Sequence, residues 1–323
     1  MLVLGLQGSP RKKGNTNFLL QTFMKTAGNM GARTHIIDVT RKNIIPCKEF
    51  VVCEKKGFCP IDDDVRDEIY PLLRQAEVVV IATPIFFYNM TAQLKAVIDR
   101  CQTFWARKYK LKLKDPGANM RRGFLLAVGA TRGKNLFEGL NLTSQYFFDA
   151  IWAKFEGSLA YRGIEGPKDM AGHPSVQDDV EKAVQGILQP FSGRKKVLFA
   201  CRENACRSQM ASAFAQSLSG DKLEVLNAGS EPAEKVHPGM VTVMHEKGID
   251  MGFRIPRTID EVLLYDTPEI IITMGCAEQC PFVPGARKMD WDLPNPAGKS
   301  IEFMRDVRDE IEKRVQDLIR EII

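Results

Sequence analysis

Residues 196–208 read KVLFACRENACRS, and this stretch decides the fold of the second half of the chain. A strand-like apolar run ends at Cys201, a short loop follows, and a helical pattern begins at about Arg207. Five residues separate Cys201 from Arg207, which is enough for backbone N–H groups to curl around a tetrahedral oxyanion. The N-terminus of the helix adds partial positive charge, and the arginine can bind two oxygens at once. The stretch therefore predicts a strand–loop–helix unit with an anion site at its turn.

The same loop contains the candidate nucleophile. Its positive field favours the thiolate of Cys201, which is the reactive form of a cysteine. Ser208 is placed to hydrogen-bond that thiolate, and Asn204, inside the loop, joins the predicted catalytic residues. Buried core cysteines are the alternative interpretation. The position of this spacing between a strand and a helix favours the catalytic one.

Several separate blocks resemble arsenate reductases of the low-molecular-weight phosphotyrosine-phosphatase superfamily: CRENACRSQMASAFAQ, LNAGSEPAEKVHPGMVTVM, ITMGCAEQCPFVPG and DWDLPNPAGK. The resemblance covers nearly all of residues 195–320 and implies that the arsenate oxyanion is the substrate. It also implies that Cys276 resolves the arsenic adduct on Cys201 and that Cys280 is the last thiol to be oxidised. A structural or zinc-binding pair is the alternative for these two cysteines, although no further ligand pair is evident nearby.

The sequence departs from the superfamily where the general acid is expected. Asp before Pro is usual there, and the aligned dipeptide here is Asn295-Pro296. A carboxamide cannot donate a proton as an acid does, and losing a general acid typically costs about 10²–10⁴-fold in rate. The change disfavours phosphatase activity more than arsenate reduction, because thiol exchange carries much of the latter. Asp292 is the nearest replacement, and Asp290 is a poorer one.

A second loop of interest follows the first strand-like run, where residues 7–17 read QGSPRKKGNTN. Small and hydroxylic residues between a strand and a helix form a phosphate cradle. A plain turn would not need this density of donors. The predicted phosphate ligands are Ser9, Arg11, Asn15 and Thr16.

Two further loops follow the third and fourth predicted strands. The first is aromatic, and aromatic residues at the end of a strand near a topological switch point suit a flat ring, although core packing is the alternative. The second, 129–134, does not have the spacing of a nucleoside triphosphate loop. The predicted ring-binding residues are Pro84, Ile85, Phe86, Phe87 and Gly129.

GSPRKKGNT and TPIFFYNMTAQLKAVIDR, together with the cysteines between them, resemble NAD(P)H-dependent FMN reductases and the related iron–sulfur flavoproteins. The resemblance covers about residues 1–190. It implies that FMN phosphate binds the first loop, that the isoalloxazine lies against the second, and that NAD(P)H supplies hydride. Subunits of this family commonly pair across the flavin, so a homo-oligomer is expected.

The cluster motif of the iron–sulfur members is incomplete here. Cys47, Cys53 and Cys59 fit the motif, but Phe50 occupies the second ligand position. Four thiolates normally hold a cubane. Three either leave one iron open or hold no cluster, and the absence of a cluster is the favoured prediction.

The 323 residues suggest two domains. Alternating strand and helix patterns predict two doubly wound α/β domains with parallel sheets, a flavodoxin-like domain at 1–190 and a phosphatase-like domain at 195–323. The break at 189–193 contains Pro, Ser and Gly. The predicted strands are 2–6, 34–38, 77–82, 123–128, 156–161, 196–200, 223–227 and 269–273. The predicted helices are 16–29, 64–75, 91–106, 136–151, 178–189, 207–218, 237–247 and 301–320.

Composition excludes several other classes of protein. Residues 1–192 hold 27 Lys and Arg against 19 Asp and Glu, and residues 193–323 hold 18 against 21, so the first half is the better host for a polyanionic cofactor. The basic run 107–114 is typical of a solvated surface rather than of nucleic-acid binding. Apolar runs such as 78–82 are too short to span a membrane, and no leader pattern is visible, so we expect a cytoplasmic protein.

The two halves together suggest one electron path. Arsenate reduction ends with a disulfide, and a flavin that accepts hydride from NAD(P)H can supply the two electrons that reopen the predicted Cys276–Cys280 bond. The electrons pass either directly or through Cys47, Cys53 or Cys59. Thioredoxin or a small thiol is the alternative reductant. A phosphatase fused to an independent flavin or quinone reductase, and a non-catalytic sensor of arsenic or redox state, are the competing hypotheses.

Overall fold

The computed structural model describes residues 1–275 and 283–323, which divide into two compact units. The first unit comprises residues 1–111 and 120–190, and the second comprises 112–119 and 191–323. The short segment 112–119 belongs to the second unit, where the Lys114 N–H donates to the Gly248 carbonyl at 2.8 Å. The domain boundaries at 190 and 195 stay a prediction.

The first unit is a five-stranded parallel sheet among the described residues, with the strand order β2-β1-β3-β4-β5. Its strands are β1 Leu2–Gln7, β2 Arg33–Asp38, β3 Val78–Pro84, β4 Arg122–Gly129 and β5 Lys154–Arg162. Its helices are α1 Asn15–Asn29, α2 Val52–Lys56, α3 Tyr70–Gln75, α4 Ala92–Arg100, α5 Gln102–Tyr109, α6 Glu138–Ala150 and α7 Val176–Leu188.

The central strands of this sheet explain why it forms. Every residue of β1 is buried, and so are the residues of β3 except its last, Pro84. Strands that are apolar on both faces are typical of parallel sheets covered by helices on each side. The order places β1 between β2 and β3, so the loops after β1 and β3 leave the same edge of the sheet at the switch point.

The second unit has a four-stranded parallel sheet among the described residues, in the order β7-β6-β8-β9. Its strands are β6 Lys195–Cys201, β7 Leu223–Gly229, β8 Ile270–Met274 and β9 Arg287–Asp290. Its helices are α8 Arg207–Ser219, α9 Pro238–Glu246, α10 Ile259–Leu263 and α11 Ile301–Ile322. Its larger core packs β6 against α8 and the apolar face of α11.

These two parallel sheets confirm the predicted fold class. Four details were wrong or missed. The helix expected at 91–106 is two helices, α4 and α5, that meet at Cys101. The strand β9 and the short helices α2 and α10 were not predicted at all. In the part of the chain that the structure describes, no helix has both the length and the apolarity needed to cross a bilayer.

Candidate active site and flavin site

The candidate nucleophile lies at the end of the central strand of the second unit. Cys201 is the last residue of β6, and its side chain is 2% exposed. Residues 202–206 form the loop, and α8 begins at Arg207, as predicted. The Cys201 Sγ atom lies 3.0 Å from the Ser208 hydroxyl oxygen in the first turn of α8. The predicted pair of thiol and hydroxyl is therefore brought together.

The backbone of this loop is turned in one direction. The carbonyl oxygens of Cys201 and of three loop residues accept hydrogen bonds, between 2.8 and 3.2 Å, from N–H groups of residues 230–237. The three loop residues are Arg202, Glu203 and Ala205. In the part of the chain that the structure describes, no backbone carbonyl accepts from the N–H groups of residues 203–205, so these donors are available to an anion. A ring of N–H groups at a helix N-terminus is an anion-binding arrangement.

Asn204 connects the loop to its surroundings. This residue is fully buried and has a left-handed φ of 48°. Its amide oxygen accepts from the Arg257 N–H at 2.9 Å, which fixes the orientation of the amide. The amide nitrogen then donates to Ser208 at 2.8 Å and to Asn227 at 3.1 Å. Since Ser208 accepts from Asn204, its own hydroxyl proton is available for the Cys201 sulfur.

Arg207 is held at the mouth of the loop. Its Nη1 donates to the Leu293 carbonyl at 2.9 Å. Gly275, with a φ of 77°, permits this approach, because a Cβ built at that position would lie 2.9 Å from Nη1. Gly229 has a similar role, since a Cβ there would lie 2.5 Å from the Arg202 carbonyl oxygen. Side chains at these glycines would push against the loop.

The second cysteine of the loop has a different environment. Burial, and then the neighbouring Cys201, raise the pKa of Cys206 to about 12. Its thiol donates to the Met304 thioether at 3.3 Å. A thiol that stays protonated is a poor nucleophile. Cys206 therefore acts as a packing residue beside the site.

The remaining predicted residues of this unit are placed as follows. Cys276 and Cys280 lie outside the described residues. Asn295 is exposed, and its amide oxygen accepts from the Ala297 N–H at 3.2 Å. Asp292 is also exposed. Asp290 accepts a hydrogen bond from Thr273, so this carboxylate is engaged away from the loop.

In the first unit, the predicted phosphate loop joins β1 to α1. Ser9 and Thr16 are buried, and the Ser9 hydroxyl oxygen accepts from the Arg11 N–H at 3.3 Å. Asn15 has a different role, because its amide donates to the Gly166 carbonyl at 2.9 Å and accepts from the Met170 N–H at 3.1 Å. Asn15 therefore fastens the segment after β5 to the loop.

The aromatic loop follows β3 at the same edge of the sheet. Phe86 and Asn89 exchange backbone hydrogen bonds of 2.8 and 3.0 Å, and between them Phe87 and Tyr88 have left-handed φ values of 47° and 62°. The side chains of Phe86, Phe87 and Tyr88 are exposed. Exposed aromatic rings on a strained turn indicate a binding surface rather than core packing.

One observation at this edge fits FMN. Gln7, the last residue of β1, is 3% exposed, and neither atom of its amide has a hydrogen-bond partner in the described chain. A buried amide without partners is costly unless a bound group satisfies it. Gly8, the next residue, lets the loop pack closely on β3, because a Cβ there would lie 3.0 Å from the Ala82 carbonyl oxygen.

Three of the cysteines of the first unit, Cys47, Cys53 and Cys59, line one cavity of about 460 Å³. Cys47 is exposed, Cys53 and Cys59 are half-buried, and Phe50 lies on the same wall. Burial raises the pKa of Cys53, and the nearby Cys59 and Cys47 raise it further. Among the described residues, no three His, Cys, Asp or Glu side chains converge closely enough to hold a metal ion. These residues do not fit a cubane that needs four thiolates.

The geometry of the second unit defines a class of protein. A buried thiol at the end of a parallel strand, an outward-turned backbone loop and an arginine at the start of a helix together form a thiol-based oxyanion enzyme. The first unit has a doubly wound sheet with a phosphate loop and an aromatic loop at its switch point, which is the site of a mononucleotide cofactor.

Comparisons with known proteins agree with these two classes. The family model for NADPH-dependent FMN reductases matches residues 1–135, and that for low-molecular-weight phosphotyrosine protein phosphatases matches residues 196–323. The glutaredoxin arsenate reductase of Synechocystis sp. is 38% identical over 40% of this chain and 98% of its own. A putative arsenate reductase of Halobacterium salinarum is 39% identical over 38% of this chain and 89% of its own.

The first part of the chain has its own relative. The iron–sulfur flavoprotein of Methanosarcina thermophila is 34% identical over 56% of this chain and 87% of its own. The chain therefore belongs to the FMN reductase and iron–sulfur flavoprotein family in its first part, and to the arsenate reductases with the low-molecular-weight phosphatase fold in its last part. The resemblances predicted from the sequence are confirmed.

Sequence reasoning missed several residues of both sites. Asn227, Arg257 and the Leu293 carbonyl support the thiol loop from distant segments, and no local pattern marks them. Gln7 was also missed. A polar side chain at the end of an otherwise apolar buried strand is the signal that points to it.

Proposed function

We propose that this protein reduces arsenate to arsenite, with Cys201 as the nucleophile. The observation that carries the proposal is the buried Cys201 sulfur, 3.0 Å from the Ser208 hydroxyl at the mouth of an anion loop. The Cys201 thiolate attacks arsenic and displaces one oxygen as water. A second thiolate then attacks the Cys201 sulfur, and a disulfide forms as the arsenic–sulfur bond breaks. The electron pair of the broken bond stays on arsenic, which leaves as arsenite.

The residues around the thiol have separate roles in this proposal. Arg207 and the loop N–H groups bind the arsenate oxygens and stabilise negative charge on them. Ser208 holds the thiolate by a hydrogen bond, and Asn204 orients Ser208. Cys276 is proposed as the resolving thiol. The register supports it, because Cys201 pairs with Met274 across the sheet, two residues before Cys276 in sequence.

The first unit is proposed to bind FMN and to take hydride from NAD(P)H. Ser9, Arg11 and Thr16 would hold the phosphate, while Gln7, Gly129 and residues 84–87 would face the ring. Bound FMN supplies two-electron chemistry between a nicotinamide and a disulfide. We further propose that these electrons reopen the Cys276–Cys280 disulfide, and that thioredoxin, glutaredoxin or a small thiol serves as the external alternative.

The same chemistry supports a proposal for the cellular compartment of the protein. The described cysteines are all free, and a thiol cascade needs a reducing compartment, so a cytoplasmic location is proposed. The proposal includes a homo-oligomer formed through the flavin unit and no role for nucleic acid or membrane. Analytical ultracentrifugation of the FMN-loaded chain tests the oligomer directly.

The deciding experiment supplies purified, FMN-loaded full-length protein with arsenate and NADPH under anaerobic conditions, without any added thiol. Arsenite is measured over time for the wild type and for Cys201→Ser, with Cys101→Ala as a matched control at a buried cysteine far in sequence from the loop. We expect many turnovers for the wild type and the control, and none for Cys201→Ser. Arsenite production that persists in Cys201→Ser would overturn the assignment of the nucleophile.

The same assay separates the two possible electron sources. A single turnover that stalls until thioredoxin is added would leave the arsenate reductase proposal standing and remove the flavin path. A variant at the resolving position, Cys276→Ser, should stop turnover with either reductant.

The competing phosphatase function is tested at Asn295. Hydrolysis of an aryl phosphate should be weak in the wild type, because a carboxamide cannot protonate the leaving group. The Asn295→Asp variant should raise that rate by about 10²-fold or more, with a much smaller change in arsenate reduction. An aryl phosphatase rate in the wild type that Asn295→Asp does not increase would contradict this interpretation.

A further inference from the structure

The cysteine cavity of the first unit is not used by the proposed reaction. Cys47, Cys53 and Cys59 all line it, and the cavity encloses about 460 Å³. This volume holds a single heavy atom with its ligands, and two of the three thiols are half-buried. Three soft donors around one cavity are a ligand set that calls for a soft, thiophilic partner.

A buried ion pair fixes the base of this segment. The Asp63 and Arg100 side chains are 0% exposed and paired with each other. Both also bind the backbone of Ile45, since the Ile45 N–H donates to Asp63 at 2.9 Å and Arg100 donates to the Ile45 carbonyl at 2.8 Å. Two residues before Cys47, the chain is therefore held firmly against α4.

The far end of the segment is held as well, while its middle is not. Arg107 donates to the Gly57 carbonyl at 2.7 Å, two residues before Cys59. Between the anchors, Glu49 and Val51 have left-handed φ values of 53° and 60° on either side of the exposed Phe50. A β-branched residue in this conformation is strained, so the middle of the segment gains by rearranging around a ligand.

The donor atoms of this cavity disfavour two other ligands, an iron–sulfur cubane and a structural zinc ion. A cubane cluster needs four thiolates, and Phe50 stands where the fourth would be. A structural zinc site needs four ligands as well, most often Cys and His. No histidine lines this cavity, and of its carboxylates Glu54 and Asp99 are each paired with a lysine, which leaves Glu49. A centre that is satisfied by three sulfurs fits these residues.

We propose that Cys47, Cys53 and Cys59 bind trivalent arsenic, the product of the activity proposed for the second unit. Arsenous acid exchanges its three hydroxyls for three thiolate sulfurs. Three As–S bonds form, three As–O bonds break, and the three thiol protons leave with the hydroxyls as three waters. No electrons are transferred. The thiols draw together on the arsenic as it binds, and the lone pair of arsenic occupies the fourth direction, where Phe50 offers no donor.

This inference rests on the proposed function for its choice of ligand, but its test does not depend on arsenate turnover. Sodium arsenite is added directly to the full-length chain carrying Cys201→Ser, Cys276→Ser and Cys280→Ser, which removes the thiols proposed for the reaction. X-ray absorption at the arsenic edge counts the sulfur neighbours, and calorimetric titration gives the affinity and the stoichiometry. We expect one arsenic per chain, bound by three sulfurs and no oxygen.

Single variants in that background identify the ligands. Cys47→Ser, Cys53→Ser and Cys59→Ser should each weaken arsenite binding by about 10²-fold, because each removes one tethered ligand. Cys101→Ala, at a buried cysteine outside this cavity, should leave the affinity unchanged. Circular dichroism and thermal unfolding show whether each variant is folded. Affinity that survives all three serine variants, or arsenic bound by fewer than three sulfurs, would overturn the proposal.

Replacing the phenylalanine tests the choice between arsenic and a cluster. Phe50→Cys restores a fourth thiol, and after anaerobic treatment with iron and sulfide it should show the visible absorption of a cluster that the wild type lacks. The arsenic site would be contradicted if the wild-type protein retained stoichiometric iron and sulfide at these cysteines through anaerobic purification. If arsenate reduction fails while arsenite still binds three sulfurs, only the proposed function is lost.

Discussion

Cysteine side chains have opposite environments in two regions of the molecule. These regions are the thiol loop of the second unit, residues 201–208, and the cysteine segment of the first unit, residues 47–59. Cys201 is 2% exposed, and one hydroxyl contacts its sulfur. The backbone around it is hydrogen-bonded to residues 230–237. Cys47 is exposed, and its segment carries strained residues between two anchored ends.

The difference separates catalysis from binding. A nucleophile gains from a fixed position, since misplacement of the attacking atom slows the reaction steeply. A set of ligands gains from a segment that can adjust until all donors reach one atom. The hydrogen bonds of the thiol loop fix the position of one thiol, whereas the cysteine segment is anchored at its two ends, at Ile45 and Gly57. Variants that weaken each support should therefore have different effects on rate and on stability.

The largest effect is expected at the mouth of the thiol loop. Arg207→Lys should lower kcat/KM for arsenate by about 10²–10³-fold, because lysine cannot bind two oxygens in the planar geometry of a guanidinium. The matched control is Arg202→Lys in the same loop. Arg202 forms an exposed pair with Glu231, and such pairs contribute little, so its effect should stay below about twofold. Equal losses in the two variants would show that the charge of the loop, rather than the geometry of Arg207, binds arsenate.

An effect of comparable size, on stability rather than on rate, is expected at the base of the cysteine segment. Asp63→Asn leaves the buried Arg100 charge without its partner, which typically costs about 3–5 kcal/mol. The control Asp62→Asn changes a neighbouring carboxylate that is 77% exposed and pairs with Arg66 at the surface. Chemical unfolding followed by circular dichroism compares the two variants. A similar loss of stability in both would mean that the buried pair is not the anchor.

The stability difference between the wild type and Asp63→Asn should depend on pH. Burial alone would raise the pKa of Asp63, but hydrogen bonds from Arg100 and from the Ile45 N–H outweigh it, so the pKa lies below its usual value. A lowered folded-state pKa stabilises the protein above the unfolded value of about 3.9, and this stabilisation is lost as pH falls through the folded value. The stability gap between wild type and Asp63→Asn should be full at neutral pH and shrink in acid. A gap that does not change with pH would exclude the carboxylate as its source.

The smallest effect is expected at the centre of the thiol loop. Asn204→Ala removes the acceptor for the Arg257 N–H and the donor to Ser208, and unmade buried hydrogen bonds cost about 1–3 kcal/mol. Arsenate reduction should fall as well, because Ser208 loses its orientation. Asn204→Asp is the informative companion, since it keeps the acceptor but loses the donor. If Asn204→Asp retains both stability and rate, the donor to Ser208 is unnecessary.

The fold could be predicted from the sequence where a buried strand leaves a continuous run of apolar residues. Apolar runs such as Val78–Pro84 indicate strands covered on both faces. The strand β9, RKMD, is polar and lies at the edge of its sheet, so no apolar run marks it. The helix α10 had a signal that was overlooked, because Thr258 and Glu261 form a capping box.

The site could be predicted in part for a related reason. Cys201, Arg207 and Ser208 lie within one strand–loop–helix unit, so their spacing along the chain becomes their geometry. The Asn227 amide and the Leu293 carbonyl reach the same loop from β7 and from the segment after β9. Their contributions depend on the packing of the sheet, and no pattern in the sequence measures that. Asn15 shows that a residue of a predicted binding motif can also support the fold, because its side chain is hydrogen-bonded to Gly166 and Met170. Its role as a cofactor ligand stays a prediction.

The assignment of residues 112–119 to the second unit has a practical consequence for anyone who wishes to separate the two activities. The polypeptide passes between the units after residues 111, 119 and 190. A protease cut after residue 190 would sever the only peptide link between residues 191–323 and the rest of the chain, but the strip 112–119 that pairs with them would stay in the other piece. A gene shortened to codons 191–323 would lose this strip, which pairs with Gly248 and Asp250. Expressing the halves as independent proteins therefore requires that this strip be supplied to the second half.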